Sequence, residues 1–543
     1  MKAKRYLWKT IIGSFMVITP AIALTSCGSS TSTTKSFAEL VVSDDTSVLK
    51  DKAFNENTYS GWQRFMVSSE VNNEGANPNK YTKEVFNMPD INSNSKDLDL
   101  AKGYWRRPGG SRENTYRQIF NGGANLIIAP GFNQKESVEI VANQNKDKGF
   151  ILLDSNVDTK KGNFTNVASF TFRAEQSGFL AGIATAEFLN ANKEIFKTGQ
   201  DDDGKLKVGG FVGLAFPSTV DFLVGFQSGI IAYNLSVENS KNTTNKKEKV
   251  EWVSLGPNIS DYSSGSFGTG QGDIKSKQLL ITEKVDAIIP IAGPQTYDAI
   301  SVITGHLNRP AIVIGVDSEQ ENNSQLQKEL TDKQLNNMTL KDSNGNPLGN
   351  KNIIQFSAIK KLDEAVYKTL IAIFNEKDPN NANYKNTVNL FSNDSGNDKN
   401  PIQGFGYNNI GTLSNGTVGI SKAGLEWIKL FNQSWVNQDN SLNLSELYKN
   451  EAYVKLETSG LLYNDNLYKL TNINELIDNK AVNAIGLIDS TNRVVSELKN
   501  NNPPATLNKN TDSQSLNGSI WSLEKGKVKN SNTELQELKK YSI

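Results

Sequence analysis

Histidine and cysteine are almost absent from this 543-residue chain, which contains one of each. The single histidine, His306, leaves almost nothing from which to build a histidine-based catalytic triad or a zinc centre. The single cysteine, Cys27, excludes a disulfide bond within the chain, so the folded protein must be stable through its core alone. Lys plus Arg and Asp plus Glu both number 58, and this zero net charge gives no sign of a nucleic-acid partner.

Sequence signatures of cofactor and metal sites are also missing. Gly265 to Gly272 is rich in glycine, but no Gly-Lys-[Ser/Thr] follows it, so the stretch is not a phosphate-binding P-loop. No dinucleotide fingerprint opens the first strand–helix turn. Asp342 to Asn346 begins like a calcium-binding EF-hand loop, but the Gly and Glu that such a loop needs are absent. We therefore expect no cofactor, no bound metal, no catalytic residues and no enzymatic activity.

The N-terminus has the pattern of a bacterial lipoprotein signal. Basic residues precede an apolar run from Ile11 to Leu24, which has about the length of a secretory h-region. The run ends in Leu-Thr-Ser-Cys27, which looks like a lipobox whose cysteine receives the lipid. We predict a signal peptide over 1–27, a flexible tether over 28–37, and attachment by acyl chains to the extracytoplasmic face of the cell membrane. No other stretch reaches the roughly 18 apolar residues that span a bilayer.

From Ala38 onward, short apolar runs alternate with amphipathic segments of helical length. Runs such as Asn125 to Ala129 and Ala311 to Val316 are typical of buried strands, so the alternation predicts βαβ units and parallel sheets. Val167 to Leu189 is the strongest helix prediction, with phenylalanines near helical spacing and small residues that permit close packing against a sheet. Polar inserts rich in Asn and Lys interrupt the pattern and are predicted to be loops.

Aspartates recur where predicted strands end. Asp45 follows the first strand, Asp154 a later one, and Asp317 a third. Ligands of open α/β sheets bind beyond the carboxyl ends of the strands. These three acids are therefore candidates for hydrogen bonds to a polyhydroxylated ligand, although isolated strand-end acids are often caps.

The segment between Asp51 and Asn55 leads into the first predicted helix at the same edge. It offers an acid, an aromatic ring and an amide to a small molecule. Each of these residues also has a structural interpretation: Asp51 as a helix N-cap, Phe54 as a core residue, and Asn55 as a polar group of the first turn.

This segment resembles the D-K-S-F-N motif of the basic membrane protein family, the nucleoside-binding lipoproteins of bacterial ABC importers. Five further segments resemble motifs of the same family in the same order, and together they cover about 40–430. They are 125–132 (NLIIAPGF), 166–180 (NVASFTFRAEQSGFL), 207–234, 314–320 (IGVDSEQ) and 357–367 (SAIKKLDEAVY).

The resemblance implies the α/β fold of a type I periplasmic binding protein, in which two doubly wound Rossmann-like lobes joined by hinge crossovers close on a ligand. On this basis we expect lobe 1 to comprise 38–160 and 293–352. Lobe 2 would comprise 161–292 and 353–433. Residues 434–543 would form a C-terminal extension of unknown role.

The resemblance also implies a purine or other nucleoside as the ligand. Carried over by position, Phe54 and Phe222 would stack on the two faces of the base, with Phe216 competing for the second place. Asp154 and Asp317 would accept hydrogen bonds from the ribose hydroxyls. The other implied ligand-binding residues are Asp45, Asp51 and Asn55 at the base edge or ribose, Gly293 for close backbone approach, and Lys360 beside the acids and the sugar.

The expected function is therefore that of a lipid-anchored extracytoplasmic receptor that captures nucleosides by hinge closure and delivers them to the membrane subunits of an ABC importer. Two alternatives stay open. The chain could be a receptor of the same fold for a sugar or another small solute, or a surface interaction or adhesin lipoprotein that works through its inserts and 434–543.

Overall fold

A computed structural model of the chain describes residues 38–43, 49–67, 105–158, 160–196, 204–239, 247–256, 259–331, 352–374, 402, 404–413, 415–447, 523–524 and 527–528. Cys27 and Asp45 lie outside these ranges. So do the predicted signal peptide, the tether and most of the predicted C-terminal extension.

The described strands form two large sheets and one separate short pair. They are β1 (Ala38–Val41), β2 (Trp105–Arg106), β3 (Leu126–Pro130), β4 (Gly149–Leu153), β5 (Val167–Phe172), β6 (Leu206–Val212), β7 (Val250–Trp252), β8 (Ala287–Ile291), β9 (Ile312–Asp317), β10 (Ile354–Lys360), β11 (Asn408–Gly411), β12 (Val418–Ile420), and the pair β13 (Leu523–Glu524) and β14 (Lys527–Val528).

Helices pack on both sides of the two large sheets. They are α1 (Phe54–Val67), α2 (Arg112–Asn121), α3 (Lys135–Gln144), α4 (Ala174–Ala191), α5 (Lys193–Phe196), α6 (Pro217–Asn239), α7 (Asp273–Lys277), α8 (Thr296–His306), α9 (Leu362–Phe374), α10 (Lys422–Phe431) and α11 (Leu444–Leu447). A π-helical turn, Gln278–Thr282, continues α7.

Both sheets have the same doubly wound strand order. The first runs β2-β1-β3-β4-β5-β11 with every neighbouring pair parallel. The second runs β7-β6-β8-β9-β10-β12, and its edge strand β12 is antiparallel to β10. We call the first sheet with its helices lobe 1 and the second lobe 2.

The near-continuous apolar sequence of the strands follows from burial on both faces. Successive side chains of β3 alternate between two hydrophobic clusters: Leu126 and Ile128 join one, and Ile127 and Ala129 join the other. This alternation is the period-two geometry of a strand, and it needs apolar residues at every position when helices cover both faces.

The chain passes between the lobes three times, and the predicted lobe boundaries are wrong at three places. Strand β11 in the predicted lobe 2 segment 353–433 belongs to lobe 1, where it pairs with β5. Strand β5 in the predicted lobe 2 segment 161–292 belongs to lobe 1, where it pairs with β4. Strand β9 in the predicted lobe 1 segment 293–352 belongs to lobe 2, where it pairs with β8 and β10. Alternating patterns identify strands but do not say which sheet each one joins.

The predicted helix from Val167 to Leu189 is a strand followed by a helix. Val167–Phe172 forms β5, and the helix α4 begins only at Ala174. The small residues of α4 pack chiefly against another helix, since a Cβ at Gly182 would collide with the carbonyl oxygen of Phe226 on α6. Glycines thus bring the backbones of α4 and α6 together and fix the start of α6 beside the cleft.

Candidate functional site

A cavity of about 230 Å³ lies where the carboxyl edges of the two sheets face each other. Seven of the nine ligand-binding residues that the sequence predicts line it: Asp51, Phe54, Asp154, Phe222, Gly293, Asp317 and Lys360. The first three come from lobe 1 and the other four from lobe 2. Asp45 lies outside the described residues.

Asn55 does not line the cavity, because its side chain joins β1 to the start of α1. Its Oδ1 accepts a hydrogen bond from the backbone N–H of Ser43 at 3.0 Å, and its Nδ2 donates to Asp51 Oδ2 at 2.9 Å. Asn55 is almost fully buried in this arrangement. The position of Asn55 therefore does not match the predicted role of a ligand-binding residue.

Asp51 caps α1 while also facing the cavity. Its carboxylate accepts hydrogen bonds from the backbone N–H groups of Ala53, Asn55 and Glu56 at 3.1, 2.9 and 3.2 Å. Burial raises the pKa of Asp51 to about 6, although these hydrogen bonds act to lower it. Asp51 is therefore both the N-cap of α1 and a residue of the cavity wall.

Lys360 stands at the centre of the cavity wall between two carboxylates from different lobes. Its Nζ lies 2.9 Å from Asp154 Oδ2 and 3.3 Å from Asp317 Oδ1, and its side chain is 3 % exposed. Burial by itself would lower the pKa of Lys360, but the two carboxylates outweigh it and raise that pKa. For Asp154, burial has the opposite effect and raises the pKa, although the positive charge of Lys360 acts to lower it. The ammonium group therefore stays charged and joins the lobes.

Phenylalanine rings surround the same ammonium group. The Lys360 Nζ lies 5.0 Å from the ring centroid of Phe54, 5.5 Å from that of Phe222 and 5.6 Å from that of Phe172. Phe54 belongs to lobe 1 and Phe222 to lobe 2, so one ring from each lobe borders the acidic pair. Such cation–π contacts are strongest where water is excluded.

The strand-end acids have an unusual backbone conformation. Asp154 and Asp317 both have positive φ, 60° and 65°, immediately after β4 and at the end of β9. Aspartate tolerates this left-handed region better than most residues, which accounts for an acid at each position. Gly293, two residues beyond the end of β8, also has positive φ, 45°, and a Cβ there would come within 2.9 Å of Ala53 Cβ in lobe 1.

Phe216 and Phe222, the two candidates for the second stacking place, occupy different positions relative to the cavity. Phe222 lines the cavity, whereas Phe216 does not; the ring of Phe216 lies against that of Phe132 at a tilt of 30°, with centroids 3.5 Å apart. The sequence reasoning missed Phe132 and Phe267 as cavity residues. Phe132 stood within a recognised motif, NLIIAPGF, but nothing in the motif said that its ring faces the other lobe.

The glycine-rich stretch that fails as a P-loop forms another part of the wall. Phe267, Gly268 and Thr269 line the cavity. The Asp298 carboxylate holds this loop in place by accepting from the backbone N–H groups of Gly270 and Gly272, at 2.7 and 2.9 Å. The glycines of this stretch therefore contribute to the shape of the loop.

The described ranges contain neither a metal-binding cluster nor a membrane-spanning helix. No group of three or more His, Cys, Asp and Glu side chains there is arranged to hold a metal ion. No helix of that part of the chain combines the length and the apolar character needed to cross a bilayer.

Two doubly wound lobes that share a cavity at the carboxyl edges of their sheets define the type I periplasmic binding protein fold. The chain belongs to the Bmp family of PnrA-like ABC transporter substrate-binding proteins, whose family model matches residues 38–251. The predicted family and fold are thereby confirmed.

The relatives of the chain include lipoproteins and a nucleoside-binding protein. It is 34 % identical over 469 residues to an uncharacterised lipoprotein of Mycoplasma genitalium, covering 75 % of this chain and 71 % of that one. It is 30 % identical over 118 residues to the ABC transporter nucleoside-binding protein BmpA of Lactococcus lactis, covering 21 % of this chain and 32 % of BmpA. A solute-binding protein from Aeropyrum pernix overlaps 87 % of this chain and 100 % of its own, with 18 % identity and a TM-score of 0.44.

Proposed function

We propose that this protein is a lipid-anchored receptor that binds a nucleoside between its two lobes and delivers it to the membrane subunits of an ABC importer. The base would stack between Phe54 and Phe222, and the pentose hydroxyls would donate hydrogen bonds to Asp154 and Asp317. Binding would need no bond to be made or broken, so the protein would act without catalysis.

The observation that carries this proposal is the convergence of rings and acids on one point. Phe54, Phe222, Asp154 and Asp317 come from four separate elements of two lobes, and all four surround the Lys360 ammonium group. Aromatic faces suit a flat heterocycle, and carboxylates suit a polyhydroxylated sugar. A nucleoside combines these two chemistries in one small molecule.

The family supports transport as the purpose of binding, and the relationship to BmpA supports a nucleoside ligand. The Mycoplasma genitalium lipoprotein supports lipid attachment. We assign this attachment to Cys27 at the end of the predicted signal peptide. Metabolic labelling with a radioactive fatty acid would test the anchor, and Cys27→Ser should abolish incorporation of the label.

Isothermal titration calorimetry would test the ligand class. The chain would be titrated with adenosine, guanosine, inosine, uridine and ribose under one set of conditions. We expect at least one nucleoside to release heat and to bind far more tightly than ribose, because ribose lacks the ring that stacks. Absence of heat with all four nucleosides would refute the nucleoside proposal, and equal affinity for ribose would point to a sugar receptor.

A further inference from the structure

One aromatic pair outside the two stacking positions joins the lobes directly. The rings of Phe132 in lobe 1 and Phe216 in lobe 2 have centroids 3.5 Å apart and planes inclined by 30°. Phe132 follows β3 and Phe216 precedes α6, so both rings stand at the carboxyl edges of the sheets. Any opening of the cleft between those edges would have to separate them.

These two rings are not part of the hydrophobic core. Neither belongs to any of the buried clusters of the described residues or packs against one, and both side chains are only half-buried. A large apolar ring that contributes little to a core is expected to have another purpose. Here the contact between lobes supplies one.

Each ring is held by a hydrogen-bonded turn. In lobe 1, Gln134 Nε2 donates to the carbonyl oxygens of Val41 and Pro130 at 2.8 and 2.6 Å, which fixes the turn that carries Phe132. In lobe 2, the backbone N–H of Val220 donates to the carbonyl oxygen of Phe216 at 2.8 Å and so begins α6. The backbone that carries each ring is therefore anchored within its own lobe.

The two rings have different relations to the cavity. Phe132 lines it, whereas Phe216 contacts Phe132 and does not line it. Phe216 thus backs Phe132 from the other lobe. A ligand in the cavity would have Phe132 against it as long as the pair is intact.

We propose that Phe132 and Phe216 form a latch that holds the two lobes together and slows the release of the bound ligand. This inference adds two positioning residues to the proposed function and rests on that function only for the identity of the ligand. The stacking rings Phe54 and Phe222 would set which molecule binds, and the latch would set how long it stays.

Hydrogen–deuterium exchange on the full chain tests the latch without any ligand. In Phe216→Ala, amides 131–135 of lobe 1 should exchange faster, and in Phe132→Ala, the amides of 216 and 218–220 in lobe 2 should do so. Ile274→Ala shortens an exposed apolar side chain on α7 of lobe 2, and it should leave 131–135 unchanged. If each latch variant changes exchange only on its own lobe, the proposal is wrong.

Stopped-flow dissociation of inosine gives the second test. Phe216→Ala should raise the dissociation rate constant about two- to tenfold, the range expected for one aromatic pair. In a Phe132→Ala background the same substitution should change the rate constant less than twofold, because the pair is already lost. An equal effect in both backgrounds would overturn the latch. If inosine does not bind, the proposed function fails and the exchange experiment alone decides the latch.

Discussion

At the scale of single residues, Lys360 links the two lobes through its buried charge. Its ammonium is buried between Asp154 and Asp317, which belong to different lobes. Removing one member of a buried ion pair usually costs more than the pair itself contributes, because an uncompensated charge stays behind. Two such carboxylates would remain if this lysine were lost.

We expect Lys360→Met to lower the free energy of unfolding by about 3–5 kcal/mol, measured by urea denaturation at pH 7.5. Methionine keeps much of the volume of the side chain and removes its charge. Adding Asp154→Asn should recover part of the loss, because one buried carboxylate is then neutral. If Lys360→Met alone stays within about 1 kcal/mol of the native chain, this account of Lys360 and its two carboxylates is wrong.

The raised pKa of Asp51 predicts how the free energy of unfolding changes with pH. Its pKa is raised from 3.8 to about 6 in the folded chain, so folding favours its protonated form. The stability that this contributes is complete below pH 3.8 and is lost as the pH rises through 6. The stability margin of the native chain over Asp51→Asn should therefore be larger at pH 4.5 than at pH 7.5.

Urea denaturation of both chains at the two pH values would measure that margin. The four hydrogen bonds that the Asp51 carboxylate accepts act in the opposite direction. A margin that grows with pH would mean that these hydrogen bonds outweigh burial.

The sequence predicted most of the cavity residues, but it did not predict which of their side chains contact one another. Asp154 and Asp317 could be predicted because strand ends are visible in the sequence, and Asp317 also stands in a family motif. Phe132 and Phe267 could not, since their side chains reach the cavity only through the way that turns and lobes are placed in space. Asn55 stood in a family motif, yet its polar atoms are used by Ser43 and Asp51.

At the scale of elements, the contact of α4 with α6 positions one wall of the cleft. Gly178 and Gly182 on α4 face Phe222 and Phe226 on α6 with no room for a Cβ. Phe222 carries a cavity ring, so the packing of these helices and the shape of the site are linked. The small residues in the sequence signalled close packing, but the partner is chiefly a helix where a sheet was expected.

Gly182→Ala should destabilise the chain by about 1–3 kcal/mol, because the added methyl group meets the backbone of α6. Gly305→Ala is the matched control. Gly305 lies in α8 with no atom within 4 Å of a Cβ built there, so alanine should stabilise that helix by up to about 1 kcal/mol. Thermal unfolding of both variants would compare them. A harmless Gly182→Ala would show that the helices can separate freely.

Strands were easier to predict from sequence than the sheets that they join. Apolar runs such as that of β9 are visible, but β9 pairs in lobe 2 and was expected in lobe 1. Val167–Phe172 was taken for helix because its phenylalanines fit a helical spacing, whereas its burial between β4 and β11 makes it a strand. Which strands pair depends on contacts between distant parts of the chain, and a local sequence pattern does not predict these contacts.

At the scale of the whole molecule, lobe 1 reaches lobe 2 through several polar contacts besides the ion pair. Asn57 Nδ2 donates to the carbonyl oxygens of Asp317 and Lys360 at 3.4 and 3.3 Å, and the carbonyl oxygen of Lys52 accepts from Ser318 Oγ at 3.3 Å. The start of α1 therefore contacts the carboxyl ends of β9 and β10. The two doubly wound lobes were predictable from the family resemblance, but this interface was not.

The central claim is that a nucleoside binds between Phe54 and Phe222, and calorimetry with ring variants tests it most directly. Inosine would be titrated into the native chain, Phe54→Ala, Phe222→Ala and, as the control, Ile274→Ala, which shortens an exposed side chain away from the cavity. Loss of one base–ring contact should weaken binding about ten- to hundredfold, while the control should bind like the native chain. Native affinity in both ring variants would contradict the claim that these two rings hold the ligand.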